Sequence, residues 1–360
     1  MVSLRMGKVL AVTSERPGAV EVDVEVGGER AAAIAYPDLT GPVGPGDRVL
    51  LNTTAVELGL GTGGVHFVVA VEGAGDEAEA DDREAPPRGR VMKARYTPLQ
   101  TAVASVEQTH AGLIEASTGL DGMPVVAAPL HSMIGPIAAG AVAAGASRVA
   151  YAMTDGAALP GSFSRLVARL RDQGLLAGFV TCGQAFGGEL EAVGVWTGLL
   201  AAKEILHADV VVVADGPGNL GTETKWGVSA LASGNVLNAI ATLGGRPVAA
   251  IRMSFADARD RHRGVSHHSL TILSDVCRVP VTVAVPQPEG EAGDGVFGAL
   301  QDLGHEIVTE DGHPALELLA SRGISIESMG RTAADDPAFF LAAGAAGAVA
   351  GRMASAQPPR

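Results

Sequence analysis

The chain has 360 residues, of which 47% are hydrophobic and 18% charged, and its formal net charge is −14. This length allows two domains with a large core, and the composition is that of a globular protein rather than a disordered one. The acidic balance argues against broad nucleic-acid binding, which needs a basic face to neutralise phosphates.

The sequence predicts a soluble, cytoplasmic protein. Its cysteines, Cys182 and Cys277, are too few for a disulfide framework and fit a reducing compartment. Met1–Leu10 carries charges within a short apolar alternation and lacks the apolar core of a signal peptide. The most apolar stretch, Phe339–Ala350, is about a dozen residues long, whereas a membrane-spanning helix needs roughly 20. We therefore expect no interaction with a membrane.

Residues 1–73 have the pattern of a small β domain. Valines from Val20 to Val26 alternate with acidic residues, which describes a strand with one buried face. Gly27–Gly28 and Gly44–Asp47 are turn signals. Further strands are expected at Lys8–Ser14, Arg30–Tyr36, Val49–Leu51 and Val65–Val71. About five or six short strands predict a small barrel or sandwich.

Residues 74–88 form an acidic linker rich in proline and glycine. Six acidic residues between Asp76 and Glu84 lie among alanines and glycines, and Pro86 and Pro87 follow without apolar periodicity. This composition is typical of a solvated connection between domains.

Residues 89–360 alternate between strand and helix patterns. Thr97–Pro98 has the form of a helix start, followed by a helical face that runs from Leu99 towards Gly119. The predicted strands are Pro124–Ala128, Arg148–Met153, Ala177–Cys182, Asp209–Ala214, Pro247–Met253, Pro280–Val285, Glu306–Val308 and Ile324–Ile326. The predicted helices include Ser162–Gln173, Glu189–Leu206 and Trp226–Leu243, with Trp196 and Trp226 in the core. The pattern predicts a doubly wound, mostly parallel, Rossmann-like α/β domain.

Small, polar or ionisable residues follow each of the first five strands of this domain. Because the carboxyl ends of parallel strands meet at one edge of a sheet, a ligand site is expected there. Asp155 and Asp215 are candidate acid/base or metal-binding carboxylates. The candidate ligand-binding residues of the first four strand ends are His131, Thr154, Gln184, Gly216, Gly218, Gly221 and Thr222.

The loop Asp215–Thr222 lies between a predicted strand and a predicted helix. Its glycines would let backbone N–H groups approach an anion at the helix N-terminus. The loop has neither the lysine of a Walker motif nor the spacing of a dinucleotide-binding fingerprint. The alternative is a tight turn that serves only chain geometry.

The fifth strand end is a polar segment, Arg252–Ser269, in an otherwise Ala-, Gly- and Val-rich chain. Arg252, Arg259, Arg261 and Arg263 carry the forked donors that suit phosphate or carboxylate. The alternative is a surface loop in which Asp257 and Asp260 pair with the arginines. The segment therefore favours a small anionic ligand, with internal ion pairing left open.

The histidine pair His267–His268 follows Ser266, which we expect to cap the N-terminus of a helix. The helix dipole disfavours imidazolium at that end, so both rings should be neutral. A neutral ring can bind a metal, act as a base, hydrogen-bond an anion or serve in structural capping. Adjacent residues on a helix point about 100° apart, which makes this pair a poor chelate. A divalent metal would need partners from other loops, with His131, Asp155 or Asp215 as candidates.

Several long phrases in the chain resemble a family of bacterial proteins catalogued as domain of unknown function 3866. They are Leu51–Gly64, Lys93–Gln100, Met153–Pro160, Gly183–Gly188 and Arg259–Ser269. The resemblance spans both predicted domains. It implies no reaction, cofactor or catalytic residue.

The leading hypothesis is an enzyme, a hydrolase or group transferase, that binds a small anionic or phosphorylated molecule at the carboxyl edge of the sheet. His267 or His268 would be its base. The alternatives are a metal-dependent hydrolase and a non-catalytic ligand sensor or assembly protein that uses the β domain to bind a partner. Gly/Ala-rich helices at 138–145 and 342–351 permit close packing, including packing between the subunits of a homo-oligomer.

Overall fold

The computed structural model describes residues 2–60, 63–73, 89–286 and 290–356. They form two compact units, Met1–Val103 and Ala104–Arg360. The predicted acidic linker, residues 74–88, lies outside the described residues. The short strands between residues 91 and 103 belong to the first unit, whereas the predicted α/β domain begins at residue 89.

The first unit contains a closed barrel in the order β1-β2-β3-β5-β4, and β4 pairs with β1 to close it. The barrel interior is filled by the alternating valines of β2 and their neighbours. Gly27 and Gly28 join β2 to β3 with φ of +62° and +83°, the left-handed values that a two-residue hairpin needs. The strands are β1 Leu4–Arg16, β2 Ala19–Val26, β3 Glu29–Ala35, β4 Arg48–Asn52 and β5 His66–Val71, with the one-turn helices α1 Pro37–Thr40 and α2 Thr54–Glu57. The predicted small barrel is confirmed.

The helix predicted to start at Thr97–Pro98 is wrong. The Thr97 hydroxyl donates to the Ala94 carbonyl and accepts from the Leu99 N–H, which closes a turn. The residues on either side of this turn pair as a hairpin instead. The elements here are β6 Val91–Lys93 and β7 Thr101–Val103, followed in the second unit by α3 Val106–Thr109 and α4 Ala111–Ala116.

The second unit is built on an eight-stranded, parallel sheet in the order β11-β10-β9-β12-β8-β13-β16-β17. Its strands are β8 Pro124–Ala127, β9 Val149–Thr154, β10 Gly178–Cys182, β11 Leu190–Ala192, β12 Val210–Asp215, β13 Arg246–Ala249, β16 Thr282–Val285 and β17 Glu306–Thr309. Two short hairpins accompany it, β14 Met253–Ser254 with β15 Gly264–Val265, and β18 Glu327–Ser328 with β19 Arg331–Thr332. The helices are α5 Ile134–Ala143, α6 Arg165–Asp172, α7 Val195–Glu204, α8 Ala232–Thr242, α9 His267–Thr271, α10 Gly290–Leu300, α11 His313–Ser321 and α12 Pro337–Ser355.

Helices cover both faces of this sheet. Tyr151 and Met153 of β9 face the core formed with α5, α6, α11 and α12. Ala150 and Ala152 face the opposite core, formed with α7, α8 and α10. The strands β8 and β12 are neighbours, yet the helices that follow them, α5 and α8, lie on opposite faces. Such a reversal opens a crevice at the carboxyl ends of the two strands, where α/β proteins bind ligands.

The helices α5 and α12 approach closely along glycines. A Cβ on Gly347 would lie 2.7 Å from the Ile137 carbonyl carbon and 2.9 Å from the Ala141 nitrogen. The Gly/Ala-rich segments therefore pack against each other within the chain. Among the described residues, α12 is the helix long and apolar enough to span a membrane, but 67% of its apolar window is buried in the fold. This degree of burial is typical of a core helix.

Other local predictions need correction. The start of the predicted helix Glu189–Leu206 is the edge strand β11, which pairs with β10. Trp196 and Trp226 are 47% and 59% exposed, so neither is a core residue. Ile324–Ile326 is not a strand. The next strand, β18 of the hairpin β18–β19, begins directly after it. Cys182 and Cys277 are both buried and form no disulfide with each other.

Candidate functional site

A cleft of about 580 Å³ lies at the carboxyl ends of β8 and β12. One wall comes from the residues after β8 and a second from the loop after β12. The third wall comes from Arg252–Ser269, and Glu327, Ser328 and Met329 close one side. The cleft therefore occupies the reversal point of the sheet, in agreement with the edge predicted from the sequence.

The structure brings part of the predicted site into this cleft. The predicted residues that line it are His131, Gly218, Gly221, Thr222, Arg259, Arg261 and His268. The predicted residues that do not line it are Thr154, Asp155, Gln184, Asp215, Gly216, Arg263 and His267. Arg252, one of the four arginines singled out in the sequence, lines the cleft too. Asn219, His262 and Ser269 also line it but were not among the candidates.

His131 is a buried wall residue whose ring nitrogens both have partners. Nδ1 lies 3.1 Å from the Asp215 carbonyl oxygen, and Nε2 lies 2.7 Å from the Ser164 hydroxyl. Because Ser164 already accepts the Val167 N–H at the start of α6, its own proton is available for Nε2. This arrangement fixes the Nδ1–H tautomer, and burial lowers the pKa of His131 to about 4. The ring ties β8, β12 and α6 together.

Acid should destabilise the fold through His131. Between pH 6.5 and 4 the His131 ring binds a proton in the unfolded chain but stays neutral in the folded protein, so the free energy of unfolding falls as the pH falls. This group alone should remove about 3 kcal/mol from the free energy of unfolding between pH 7 and 4. In His131→Asn, which retains a donor for the Asp215 carbonyl, we expect the stability profile to be flatter over that window. Parallel profiles from urea unfolding would contradict this assignment.

Asp215 and Asp155 hold neighbouring loops together. Asp215, 5% exposed, accepts hydrogen bonds from the Thr154 hydroxyl at 2.7 Å and the Gly156 N–H at 3.1 Å. Burial raises the pKa of Asp215 despite these bonds. Asp155 is exposed and accepts the Gln184 N–H at 2.8 Å. Neither carboxylate lines the cleft. Their predicted acid/base roles are not tested by these contacts and stay predictions.

The loop after β12 does not end at a helix N-terminus. Gly221 forms a backbone bridge with Val228, and the Thr222 hydroxyl is held by Thr224 and the Gly227 carbonyl. A turn of 3-10 helix, Ser229–Leu231, leads into α8, so the predicted helix Trp226–Leu243 is present but begins later than predicted, and the loop does not run directly into its N-terminus. The loop still forms a wall of the cleft.

Asp257 is the centre of an arginine network behind the cleft. Its carboxylate lies 2.7 Å from Arg252, 2.9 Å from Arg259 and 3.4 Å from Arg331. Hydrogen bonds from Arg259 hold the pKa of Asp257 far below its usual range. The ion-paired alternative is therefore correct for Asp257, whereas Asp260 is exposed and forms no ion pair with any described residue.

Arg252 and Arg261 both line the cleft with a buried Nε that has no hydrogen-bond partner among the described residues, but Arg252 is ion-paired with the buried Asp257, whereas the partner of Arg261 is an exposed side chain. Within the described part of the chain, the ion-pair partner of Arg261 is Glu223, at 3.5 Å, and the Glu223 side chain is 86% exposed. The Arg261 Nε is buried and has no hydrogen-bond partner. Arg263, two residues later, is exposed and lies outside the cleft.

Three histidines of the polar segment come together beside the cleft. One ring nitrogen each from His262, His267 and His268 lies within 4.8 Å of the others. Ser266 caps α9 as predicted and accepts the His268 N–H. The centroids of the His267 and His268 rings are 3.9 Å apart. The roughly 100° between adjacent helical residues therefore does not separate the two rings, contrary to the expectation from the sequence. That angle concerns where the side chains start, and their outer ends can still converge.

The pKa values of the three rings are all lowered, which agrees with the prediction that His267 and His268 are neutral. Burial is the main cause, and it lowers the pKa of His262 to about 3 and that of His268 to about 4. The pKa of His267 is lowered as well, by burial and then by the charges of Arg261 and Arg252. The third member of the cluster is His262, from the same segment, and not His131, Asp155 or Asp215.

The family comparison covers most of the chain. The family described as protein of unknown function (DUF3866) matches residues 32–347, which include the barrel from the end of β3 onwards and every residue that lines the cleft. Among curated proteins, none matches the chain. The match extends across far more than half of the sequence and agrees with the resemblance found in its phrases. The chain belongs to the DUF3866 family of proteins of unknown function.

Proposed function

We propose that this protein is an enzyme, a hydrolase or group transferase, that binds a small phosphate- or carboxylate-bearing molecule in the cleft. The observation that carries this proposal is Arg261, whose guanidinium lines the cleft with a buried, unpartnered Nε. Forked donors of this kind suit an anion.

The neighbouring charges support an anionic ligand. Three guanidinium groups, those of Arg252, Arg259 and Arg331, share Asp257, and Arg331 also lies 3.3 Å from the second carboxylate, Asp336. These groups leave a local positive excess in a chain of net charge −14. A negative ligand would offset that excess.

The imidazoles would activate the attacking water or hydroxyl group. Burial is the main cause that lowers the pKa of His268, and His267 and the charges of Arg252 and Arg261 lower it further. A bound anion would offset these charges and raise that pKa towards the range useful for proton transfer. A cytoplasmic location in a bacterium and Rossmann-like binding at the sheet edge belong to this proposal.

A pair of arginine variants tests the anion site. Inorganic phosphate, pyrophosphate and a panel of phosphorylated and carboxylated metabolites are compared by thermal shift with wild type, Arg261→Gln and Arg263→Gln. We expect stabilisation of wild type and Arg263→Gln, and roughly tenfold weaker binding by Arg261→Gln, since a hydrogen bond to a charged group contributes about 1.5 kcal/mol.

Equal stabilisation of both variants, or no response to any member of the panel, would remove the anion site. Each stabilising compound is then incubated with the protein and its products are measured. Binding without turnover would favour the alternative, a non-catalytic ligand sensor.

A further inference from the structure

We propose that His262, His267 and His268 bind a transition-metal ion of the Zn²⁺ class. In the described part of the chain they form the cluster of potential ligands in which one atom per residue lies within 4.8 Å of the others. Three imidazole nitrogens are a complete protein donor set for a zinc site that keeps one position open. Nitrogen donors also select Zn²⁺, Co²⁺, Ni²⁺ or Cu²⁺ over Mg²⁺ and Ca²⁺.

Unsatisfied ring nitrogens give the first support. The Nε2 atoms of His267 and His268 are buried and have no hydrogen-bond partner. A buried polar atom without a partner costs about 1–3 kcal/mol. Two such atoms occur on rings 3.9 Å apart, beside a third ring. One bound ion would satisfy both and would use the third ring as well.

The surroundings orient two of the rings. His262 Nδ1 lies 2.8 Å from the Ser266 hydroxyl, and the backbone of Thr224 hydrogen-bonds the His268 ring. When a ring nitrogen donates its N–H to such a partner, the lone pair of the other nitrogen is left for a metal, and the Ser266 hydroxyl has a second lone pair with which to accept from Nδ1. For His262 this free nitrogen is Nε2. Ser266, which also caps α9, thus connects the fold of the segment to the cluster.

The charges around the cluster indicate what else the ion would bind. Burial lowers the pKa of all three rings and so favours the neutral form, which is the form that binds metals. The guanidinium charges of Arg252 and Arg261 oppose a bare dication, and they favour an anionic fourth ligand such as hydroxide, phosphate or carboxylate. His262 and His268 line the cleft, so this ligand would be shared with Arg261. That last step rests on the proposed anion site, whereas metal binding itself does not. A ring that binds the ion cannot also act as the base, so in the metal-bound protein the ion would replace the imidazoles in activating water.

The test uses full-length protein without an affinity tag, freed of metal by a chelator. Zn²⁺ is titrated by calorimetry, and Co²⁺ by its visible absorption, which distinguishes nitrogen-ligated from fully hydrated ion. We expect one ion per chain in wild type and at least about tenfold weaker binding in His267→Asn and His268→Gln. His207→Asn is the matched control. His207 is exposed, lies outside the cluster and has φ of +52°, which asparagine tolerates.

Absence of stoichiometric Zn²⁺ or Co²⁺ binding by wild type would overturn the inference, even if a variant failed to fold. Equal affinity in wild type and both folded cluster variants would also overturn it. Phosphate binding to the chelated protein is measured separately by thermal shift. A retained phosphate response without metal binding removes only the metal site. Metal binding without an Arg261-dependent anion response removes only the proposed function.

Discussion

Gly347→Ala should lower the stability of the second unit by about 3 kcal/mol, the largest loss that we expect from a single added methyl group. The new Cβ would overlap the Ile137 carbonyl group and lie 2.9 Å from the Ala141 nitrogen. These are backbone atoms of α5, so no side chain can rotate away, and the two helices must separate. The thermal unfolding midpoint should fall by about 6 °C or more.

Gly298→Ala is the matched control for this helical substitution. Gly298 lies in α10, is exposed, and has nothing within 4 Å of its built Cβ. Alanine should therefore stabilise that helix by up to about 1 kcal/mol. An unchanged midpoint in Gly347→Ala would show that α5 and α12 are not in the close contact described here.

Asp257→Ala should cost about 3 kcal/mol, the lower end of the effect of removing one member of a buried ion pair. Asp257 is 4% exposed, and its loss leaves the buried Arg252 without its carboxylate partner. We take the lower end because the Arg259 side chain is 46% exposed and water can partly replace the lost partner. The measurement is the thermal midpoint at low salt.

Asp260→Ala tests whether the effect belongs to the network. Asp260 is an exposed residue of the same segment, so its replacement should change stability by no more than about 0.5 kcal/mol. Millimolar phosphate should stabilise Asp257→Ala more than wild type, because the vacated carboxylate position is surrounded by guanidinium groups. Equal losses in Asp257→Ala and Asp260→Ala would contradict the central position of Asp257.

The sequence predicted the architecture well because periodicity reports which residues are buried. The valines of β2, and the apolar runs of β8 and β12, are patterns that few other structures satisfy. The prediction of a helix that starts at Thr97 was wrong because a local turn and the pairing of β6 with β7 stabilise a different backbone conformation than the helical periodicity indicated. The α8 start at Ala232 was missed for a similar reason, since the bridge between Gly221 and Val228 extends the preceding loop.

The candidate site was predicted at the level of the sheet edge and less well at the level of side chains. Strand ends identified His131, Arg261 and His268, all of which line the cleft. Pairing of Arg259 with Asp257 was one of two open alternatives, because sequence does not show which carboxylate a guanidinium reaches. His262 was missed, although its spacing to His267 and His268 within one segment was a usable signal. Its role depends on the one-turn helix at Asp260–His262, which no periodicity reveals.

The strand order has a consequence for how the protein is made. The central strand β8 has β12 and β13 as its neighbours, and both lie far downstream in the chain. During synthesis β8 therefore leaves the ribosome long before either partner exists. The apolar residues of β8 and of the following α5 stay unburied during this time, because the main packing partner of α5 is α12, near the end of the chain. Nascent chains of this protein should accordingly depend on chaperones until synthesis is nearly complete.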